Sequence, residues 1–379
     1  MGLTSAKSGI IVKNNKSFLQ LIIEQIRHLN KKYHCSVPLI LMNSLNTDEE
    51  TKDTIRDIAD VEILCFNQEY YPRLDAMTLM PLAQESDSPP QYWYPPGHGN
   101  VYDSLYSSGM LKKLLGRGIN IIFISNADNL GAILDINLAA SLYNSDADVL
   151  IEVTNKTARD IKGGAIIQYK QGSEIHYKDL EIAQVPQEHL LDFQAFPHFN
   201  TGNLWVKLSF LKSAIETNQL NLDVIKNFKN VEGKRILQLE TASGSIVSST
   251  NRVLVVNVPR SRFIPTKTCS DLAVIMSDCY LWDEQEGRLQ QNAQLETIPQ
   301  LSLSEEYTSL RGLLARFHPV PSLVNLQSLS IKGDVRFSRG VILKGKVEIV
   351  AESGKTLIVP DNAVLDNVHV AGSLFISAL

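Results

Sequence analysis

The chain has 379 residues, 44% of them apolar and 20% charged, with a formal net charge of −5. That length makes two or three domains, and the composition is that of an ordinary globular protein. The acidic balance argues against general nucleic-acid binding, no apolar run approaches a membrane span, and the N-terminus lacks the apolar core of a signal peptide.

Phe18, Leu21, Ile22, Ile26 and Leu29 fall at helical spacing and predict an amphipathic helix. Residues 37–42 read as a buried strand. Thr47-Asp-Glu-Glu50 reads as a capping box opening a helix, and residues 61–66 as a second strand. The polar, proline-rich stretch 84–99 is a loop. Residues 119–124 form a third strand, a helical stretch runs from about Leu134 to Tyr143, and residues 149–153 form a fourth strand. Strands alternating with helices predict an α/β domain with a mainly parallel sheet. Ligands bind beyond the carboxyl ends of such strands. That rule puts Asn43, Asn46, Gln68, the 125–129 run and the 84–99 loop on the functional edge. Residues 283–308 are polar and read as a connector or exposed helix. Further on, Leu323, Leu329, Val335, Val341, Val347, Val359 and Leu365 recur at multiples of six, with Ser353 the one miss. This period predicts a small parallel β-helix from about residue 320; a pair of β-hairpins with a chance period is the alternative.

Chemistry-bearing residues cluster in a few places. Arg260, Arg262 and Lys267 lie between Asn257 and Asp271, stiffened by Pro259 and Pro265. Several cations on a stiff segment suit phosphate or pyrophosphate; a solvated basic loop is the plain alternative. Gly97-His98-Gly99 is a loop whose glycines allow close backbone approach to a ligand and whose histidine can hydrogen-bond it. Asp128 follows a strand directly, which suits Mg²⁺ shared with substrate phosphates; Asp128 or Asn129 as the N-cap of the next helix is the alternative. Lys162-Gly-Gly164, Glu181 and the run Phe199-Asn-Thr-Gly-Asn-Leu-Trp205 suit sugar hydroxyls and equally suit turns. Cys35, Cys65, Cys269 and Cys279 form no metal spacing and read as free thiols. Cys269 is either a reactive thiol or, more simply, a bystander. No Walker phosphate loop, Rossmann dinucleotide fingerprint, nucleophile elbow or HExxH pattern occurs.

Taken together, these residues resemble the eukaryotic UTP–glucose-1-phosphate uridylyltransferases (UDP-glucose pyrophosphorylases). The likeness runs through Pro38-Leu-Ile-Leu-Met-Asn-Ser44, Phe66-Asn-Gln68, Trp93-Tyr-Pro-Pro-Gly-His-Gly99, Asp128-Asn-Leu-Gly131, Glu152-Val-Thr-Asn-Lys-Thr157, Lys162-Gly-Gly164, Glu181-Ile-Ala-Gln-Val-Pro186, Phe199-Asn-Thr201, Gln238-Leu-Glu-Thr-Ala242 and the basic segment up to Asp271. The resemblance implies a Rossmann-like, mixed-sheet nucleotide-sugar transferase domain over 1–318 and a C-terminal parallel β-helix over 319–379. It implies Mg²⁺-dependent, reversible conversion of UTP and glucose 1-phosphate into UDP-glucose and pyrophosphate, in the cytoplasm, with neither nucleic acid nor membrane as partner. Homo-oligomerisation through the C-terminal domain belongs to the same expectation. Lys267 and Lys7 would be catalytic and Asp128 would hold Mg²⁺. Gln68, Gly97 and Asn126 would bind the nucleotide. His98 would sit at the sugar phosphate, and Gly164, Glu181, Asn200 and Asn203 would line the glucose pocket.

The family's signature is a strand, a Gly-Gly-x-Gly-Thr-x-Met-Gly loop and then Gly-Pro-Lys-Ser. The present sequence opens on the Met-Gly of that loop and has Ser5-Ala6 before Lys7-Ser8. Gly202 stands where the family usually carries Asn. A weakened or inactive paralogue that binds nucleotide sugars or partners is therefore the alternative function.

Overall fold

The computed structural model describes residues 1, 6–83, 85, 88–156, 164–180 and 197–375. Two compact units emerge, each assembled from separated stretches of chain. One comprises Val37–Asn126 and Leu134–Phe263; the other comprises Met1–Ser36, Ala127–Ile133 and Ile264–Leu379.

The first unit is built on a four-stranded sheet in the order Val253–Asn257, Val149–Asn155, His198–Lys207, Ile121–Ile124. The first pair is parallel, but His198–Lys207 runs antiparallel to both its neighbours. The sheet is therefore mixed, whereas alternation of strands and helices predicted a mainly parallel one. Earlier in the chain, Ala165–Gln171 and Glu174–Leu180 pair as an antiparallel hairpin. Strand Val149–Asn155 is buried along its first six residues. Side chains alternate between faces: Val149 and Ile151 join one core with Leu204, Val206 and the helices Val101–Ser107, Met110–Gly116 and Leu208–Glu216, while Leu150 joins Leu142 and Trp205. Leu39–Asn43 and Ile63–Asn67 form a separate parallel pair. A three-stranded antiparallel sheet holds Val224–Val231, Lys234–Thr241 and Leu74–Asp75.

Thr47 precedes helix Asp48–Ile55, but the expected capping box does not form. Its hydroxyl instead accepts from the Ser44 N–H at 2.9 Å, a local turn that competes with the cap. The acidic first turn, Asp48 to Glu50, still favours the positive end of the helix.

In the second unit, helix Phe18–Tyr33 opens on a capping box between Ser17 and Gln20 and buries Phe18, Leu21 and Leu29. Two parallel sheets follow. One stacks Gln300–Leu303, Ser322–Lys332 and Ile342–Ala351, the last pairing with both Val364–Asp366 and His369–Gly372. The other stacks Asp334–Phe337, Thr356–Val359 and Leu374–Phe375. These strands pair in parallel, so the hairpin alternative fails, and all seven apolar members of the six-residue series are at most 4% exposed. Burial of each contributes on the order of 1.5–3 kcal/mol. Residues 283–308 contain no α-helix. Arg288–Gln291 pairs with Tyr280–Asp283, and Gln300–Leu303, in which Leu301 and Leu303 alternate with polar residues, joins the first parallel sheet.

Candidate active site

In the second unit, three of the predicted residues meet. Lys7 leads a single turn of 3-10 helix, Lys7–Gly9, and its Nζ lies 2.5 Å from Asp128 Oδ2; both side chains are partly exposed. Asp128 does not cap a helix: the N-cap of helix Ile136–Tyr143 is Asp135, whose carboxylate accepts from the Asn137 N–H. The loop carrying Asp128 is instead stitched to the basic segment. The Thr266 N–H donates to the Asp128 carbonyl at 3.1 Å, and buried Asn129 accepts the Ile264 N–H on Oδ1 at 2.8 Å. Lys267 comes next and is exposed. Its backbone N–H donates to Asp271 Oδ2 at 3.0 Å, within the Thr268–Asp271 capping box of helix Cys269–Met276. Two lysines, the positive end of a helix and one carboxylate thus lie close together, a combination suited to a metal-bound polyphosphate. Cys269 is buried, burial pushes its thiol up, and Sγ sits 3.4 Å from the Thr308 carbonyl; the bystander reading fits it.

The other predicted residues lie in the first unit. Gln68 follows strand Ile63–Asn67, its N–H donating to the Asn43 carbonyl at 2.8 Å. Buried Asn100 ties this edge to the Gly-His-Gly loop by accepting the Glu69 N–H at 2.8 Å and donating to Glu69 Oε2 at 3.0 Å. Gly97 has φ +88°, and a Cβ there would lie 2.5 Å from the Thr241 carbonyl; one on Gly99 would lie 2.6 Å from the Thr241 hydroxyl. Close approach to Thr241 is thus by itself enough to require both glycines. The Ser243 N–H donates to His98 Nδ1 at 3.0 Å. A ring nitrogen that accepts carries no proton, so His98 is the neutral Nε2–H tautomer, with Nε2 as donor.

Ser243 also links His98 to the sugar-side residues. A Cβ on its neighbour Gly244 would collide with Asp179 and with the Asn200 amide. Asn200 Nδ2 donates to Asp179 Oδ2 at 3.0 Å, and its backbone N–H donates to the Gly164 carbonyl at 2.9 Å. Asn126 is exposed, and its amide nitrogen sits 3.1 Å from where a Gly202 Cβ would be, Gly202 having φ +74°. Asn203 is fully buried, its amide donating to Glu152 Oε2 at 3.1 Å and towards the Arg262 carbonyl at 3.4 Å. Arg262 clasps Glu152 through Nε and Nη2, each at 2.6 Å, and the Arg260 guanidinium lies 5.0 Å over the Phe263 ring. Glu181 lies outside the described residues.

Sequence reasoning missed Asn100, Asn129 and Glu152 as organisers. Glu152 carried a signal: a charged residue inside an otherwise apolar, fully covered strand needs partners that balance its desolvation.

Comparison with known proteins agrees along nearly the whole chain. The family model described as UTP–glucose-1-phosphate uridylyltransferase matches residues 1–344. The chain is 43% identical to the UTP–glucose-1-phosphate uridylyltransferase of Hordeum vulgare, covering 98% of this chain and 79% of that one. It is 40% identical to a probable enzyme of the same name from Schizosaccharomyces pombe, covering 99% and 75%. Among solved structures, the UDP-glucose pyrophosphorylase of Leishmania major superposes with a TM-score of 0.88 at 33% identity, over 98% of this chain and 83% of that one. A UDP-glucose phosphorylase from Trypanosoma brucei gives 0.87 at 35% identity, over 98% and 82%. With its α/β fold, its lysine–aspartate cluster and this extent of likeness, the chain belongs to the UTP–glucose-1-phosphate uridylyltransferase family.

Proposed function

We propose that the protein transfers the uridylyl group of UTP to glucose 1-phosphate, reversibly, giving UDP-glucose and pyrophosphate. The observation that carries this reading is the grouping of Lys7, Asp128 and Lys267 within one unit. A phosphate oxygen of glucose 1-phosphate attacks the α-phosphorus of UTP, and the bond to pyrophosphate breaks. No covalent enzyme intermediate is needed, so the protein's work is alignment and charge neutralisation. Lys267, exposed at a helix N-terminus, neutralises charge on the reacting phosphates, and Lys7 shares that task beside Asp128. His98 donates Nε2–H to the phosphate of the sugar. Gln68 and Gly97 read the uracil, and Asn126 sits at the ribose. Gly164, Glu181 and Asn200 line the sugar pocket, whereas Asn203 acts from behind it through Glu152.

Asp128 is the group that would hold Mg²⁺. Among the described residues no cluster of three or more His, Cys, Asp or Glu could hold a metal unaided. A single carboxylate nonetheless fits Mg²⁺, which commonly binds through one or two carboxylates together with substrate phosphates and water. When bound, the ion supplies charge neutralisation between the phosphates. Because Asp128 Oδ2 is held by Lys7, a bound ion would have to share that carboxylate with the lysine.

We assign the chemistry to 1–318 and a parallel β-helix to 319–379, its first sheet taking the strand Gln300–Leu303 from the catalytic part. Association of two copies through this end is part of the reading, and light scattering tests it. A cytoplasmic location fits four cysteines that form no disulfide. No described helix is long and apolar enough to cross a membrane.

The test is pyrophosphate release from UTP and glucose 1-phosphate with Mg²⁺. Turnover by the wild type that is abolished in Lys267→Ala supports the reading. A folded wild type that binds UDP-glucose without turnover favours the non-catalytic paralogue.

A further inference from the structure

Glu152 is 0% exposed and sits in the strand covered on both faces. A carboxylate taken out of water costs several kcal/mol unless hydrogen bonds and an opposite charge compensate. Four N–H donors meet it among the described residues. Arg262 supplies two, from Nε to Oε2 and from Nη2 to Oε1; Trp205 Nε1 donates to Oε1 at 2.9 Å and Asn203 Nδ2 to Oε2 at 3.1 Å. The Trp205 ring is itself stacked on Phe123 at 4.3 Å, which anchors the assembly in the core.

Two of these three donor residues belong to stretches assigned to the reaction. Asn203 lies in the irregularity where the pairing of His198–Lys207 with Val149–Asn155 shifts register, between Asn200 and Leu204. The same irregularity carries Gly202 in its left-handed conformation beside Asn126. It is held a second time through the backbone of Glu152, whose carbonyl accepts from Thr201 Oγ1 at 2.7 Å. Arg262 lies at the root of the basic segment, five residues along the chain before Lys267. The contact between Asn203 Nδ2 and the Arg262 carbonyl joins the two stretches directly.

We infer that Glu152 is a positioning residue for uridylyl transfer, setting the spacing between the sugar-side stretch 200–203 and the root of the phosphate-side segment at Arg262. It touches no substrate, since it is fully buried. Its bidentate hold on Arg262 makes that guanidinium an anchor for the segment, and leaves direct phosphate contact to Lys267. This inference rests on the reading of the chain as a uridylyltransferase.

The experiment measures UDP-glucose affinity by calorimetry, with kcat and KM for each substrate, in wild type, Glu152→Gln, Glu152→Asp and Trp205→Phe. In Glu152→Gln an amide N–H₂ replaces one acceptor and faces donors. A displacement of about 1 Å in such a site costs on the order of 100-fold. We expect Glu152→Gln to raise KM for glucose 1-phosphate and weaken UDP-glucose by roughly 10- to 100-fold. Glu152→Asp, which keeps the charge on a shorter arm, should fall between it and the wild type. Folded Glu152 variants with wild-type affinity and KM, and only a lower Tm, overturn the inference. If neither Glu152 variant folds, Trp205→Phe decides, since it keeps the stacked ring and removes one donor. Weakened UDP-glucose binding in it supports positioning, and lowered Tm alone refutes it. A wild type that does not bind UDP-glucose refutes instead the underlying assignment of function.

Discussion

Lys13 gives the sharpest physical prediction. It lies in the short strand Ile11–Lys13, six residues after Lys7, and its ammonium donates to the carbonyls of Met276 at 3.2 Å and Ser277 at 2.6 Å. These close the C-terminal end of helix Cys269–Met276, the helix whose N-terminus follows Lys267. Burial lowers this ammonium from its ordinary 10.5 to about 8, against the opposing pull of Asp278 and Cys279. Such a drop is worth roughly 3 kcal/mol, and about 2 kcal/mol after allowing for the remaining contact with solvent. Because the folded value lies below the unfolded one, the unfolded chain binds more protons between pH 8 and 10.5. The cost of burying the charge is therefore fully present below pH 8 and vanishes as pH rises through that window, so this group makes stability rise with pH. General alkaline effects run the other way, and the comparison with Lys13→Met removes them. Unfolding free energies from urea titrations at pH 7, 8, 9 and 10 should show wild type gaining about 2 kcal/mol relative to Lys13→Met across the series. A difference between the two proteins that stays flat from pH 7 to 10 refutes the reasoning. The loss of two hydrogen bonds in the variant shifts the whole curve but leaves its slope alone.

Gly97→Ala should destabilise the protein by about 2 kcal/mol or more, since it forces a Cβ at positive φ against the Thr241 carbonyl; thermal unfolding checks this, and a Tm equal to wild type contradicts it. Lys7→Met should leave stability within about 1 kcal/mol, because the ion pair with Asp128 is partly exposed. The same change should lower kcat by at least about 100-fold, the usual scale for one lost charge-stabilising group, and pyrophosphate release measures it.

Much of the fold was legible. Helix Phe18–Tyr33 follows from apolar spacing, and the six-residue series marks buried positions that the parallel strands stack, as Leu329 opposite Val347 illustrates. Local devices were less legible. Thr47 had the residues of a capping box, but the turn at Ser44 took its hydroxyl. Residues 283–308 looked helical or irregular because strands of four residues carry too short a period to read. The antiparallel course of His198–Lys207 was not readable at all, since direction depends on the route of the preceding chain. Within the candidate site, Lys7, Asp128 and Lys267 were named from the residues and the family likeness. Their grouping depended on Asn129, which looked like a helix cap and is instead the tie between two loops.

The sequence by itself determined the chemistry that is available here: cations on a proline-stiffened segment, a carboxylate after a strand, a histidine between glycines. Those follow from residue type and short spacing, which a chain carries before it folds. Only the tertiary structure decided which polar groups are spent internally and which face outward. Asn200 and Asn203 stand three residues apart in one polar run, yet Asn203 is fully buried against Glu152 while Asn200 is half-buried and bonded to Asp179. Likewise Arg262 is bound to Glu152, whereas the Lys267 side chain is exposed. The reason is that a hydrogen bond or ion pair depends on distances between atoms far apart in the chain, and those distances exist only once the strands have paired.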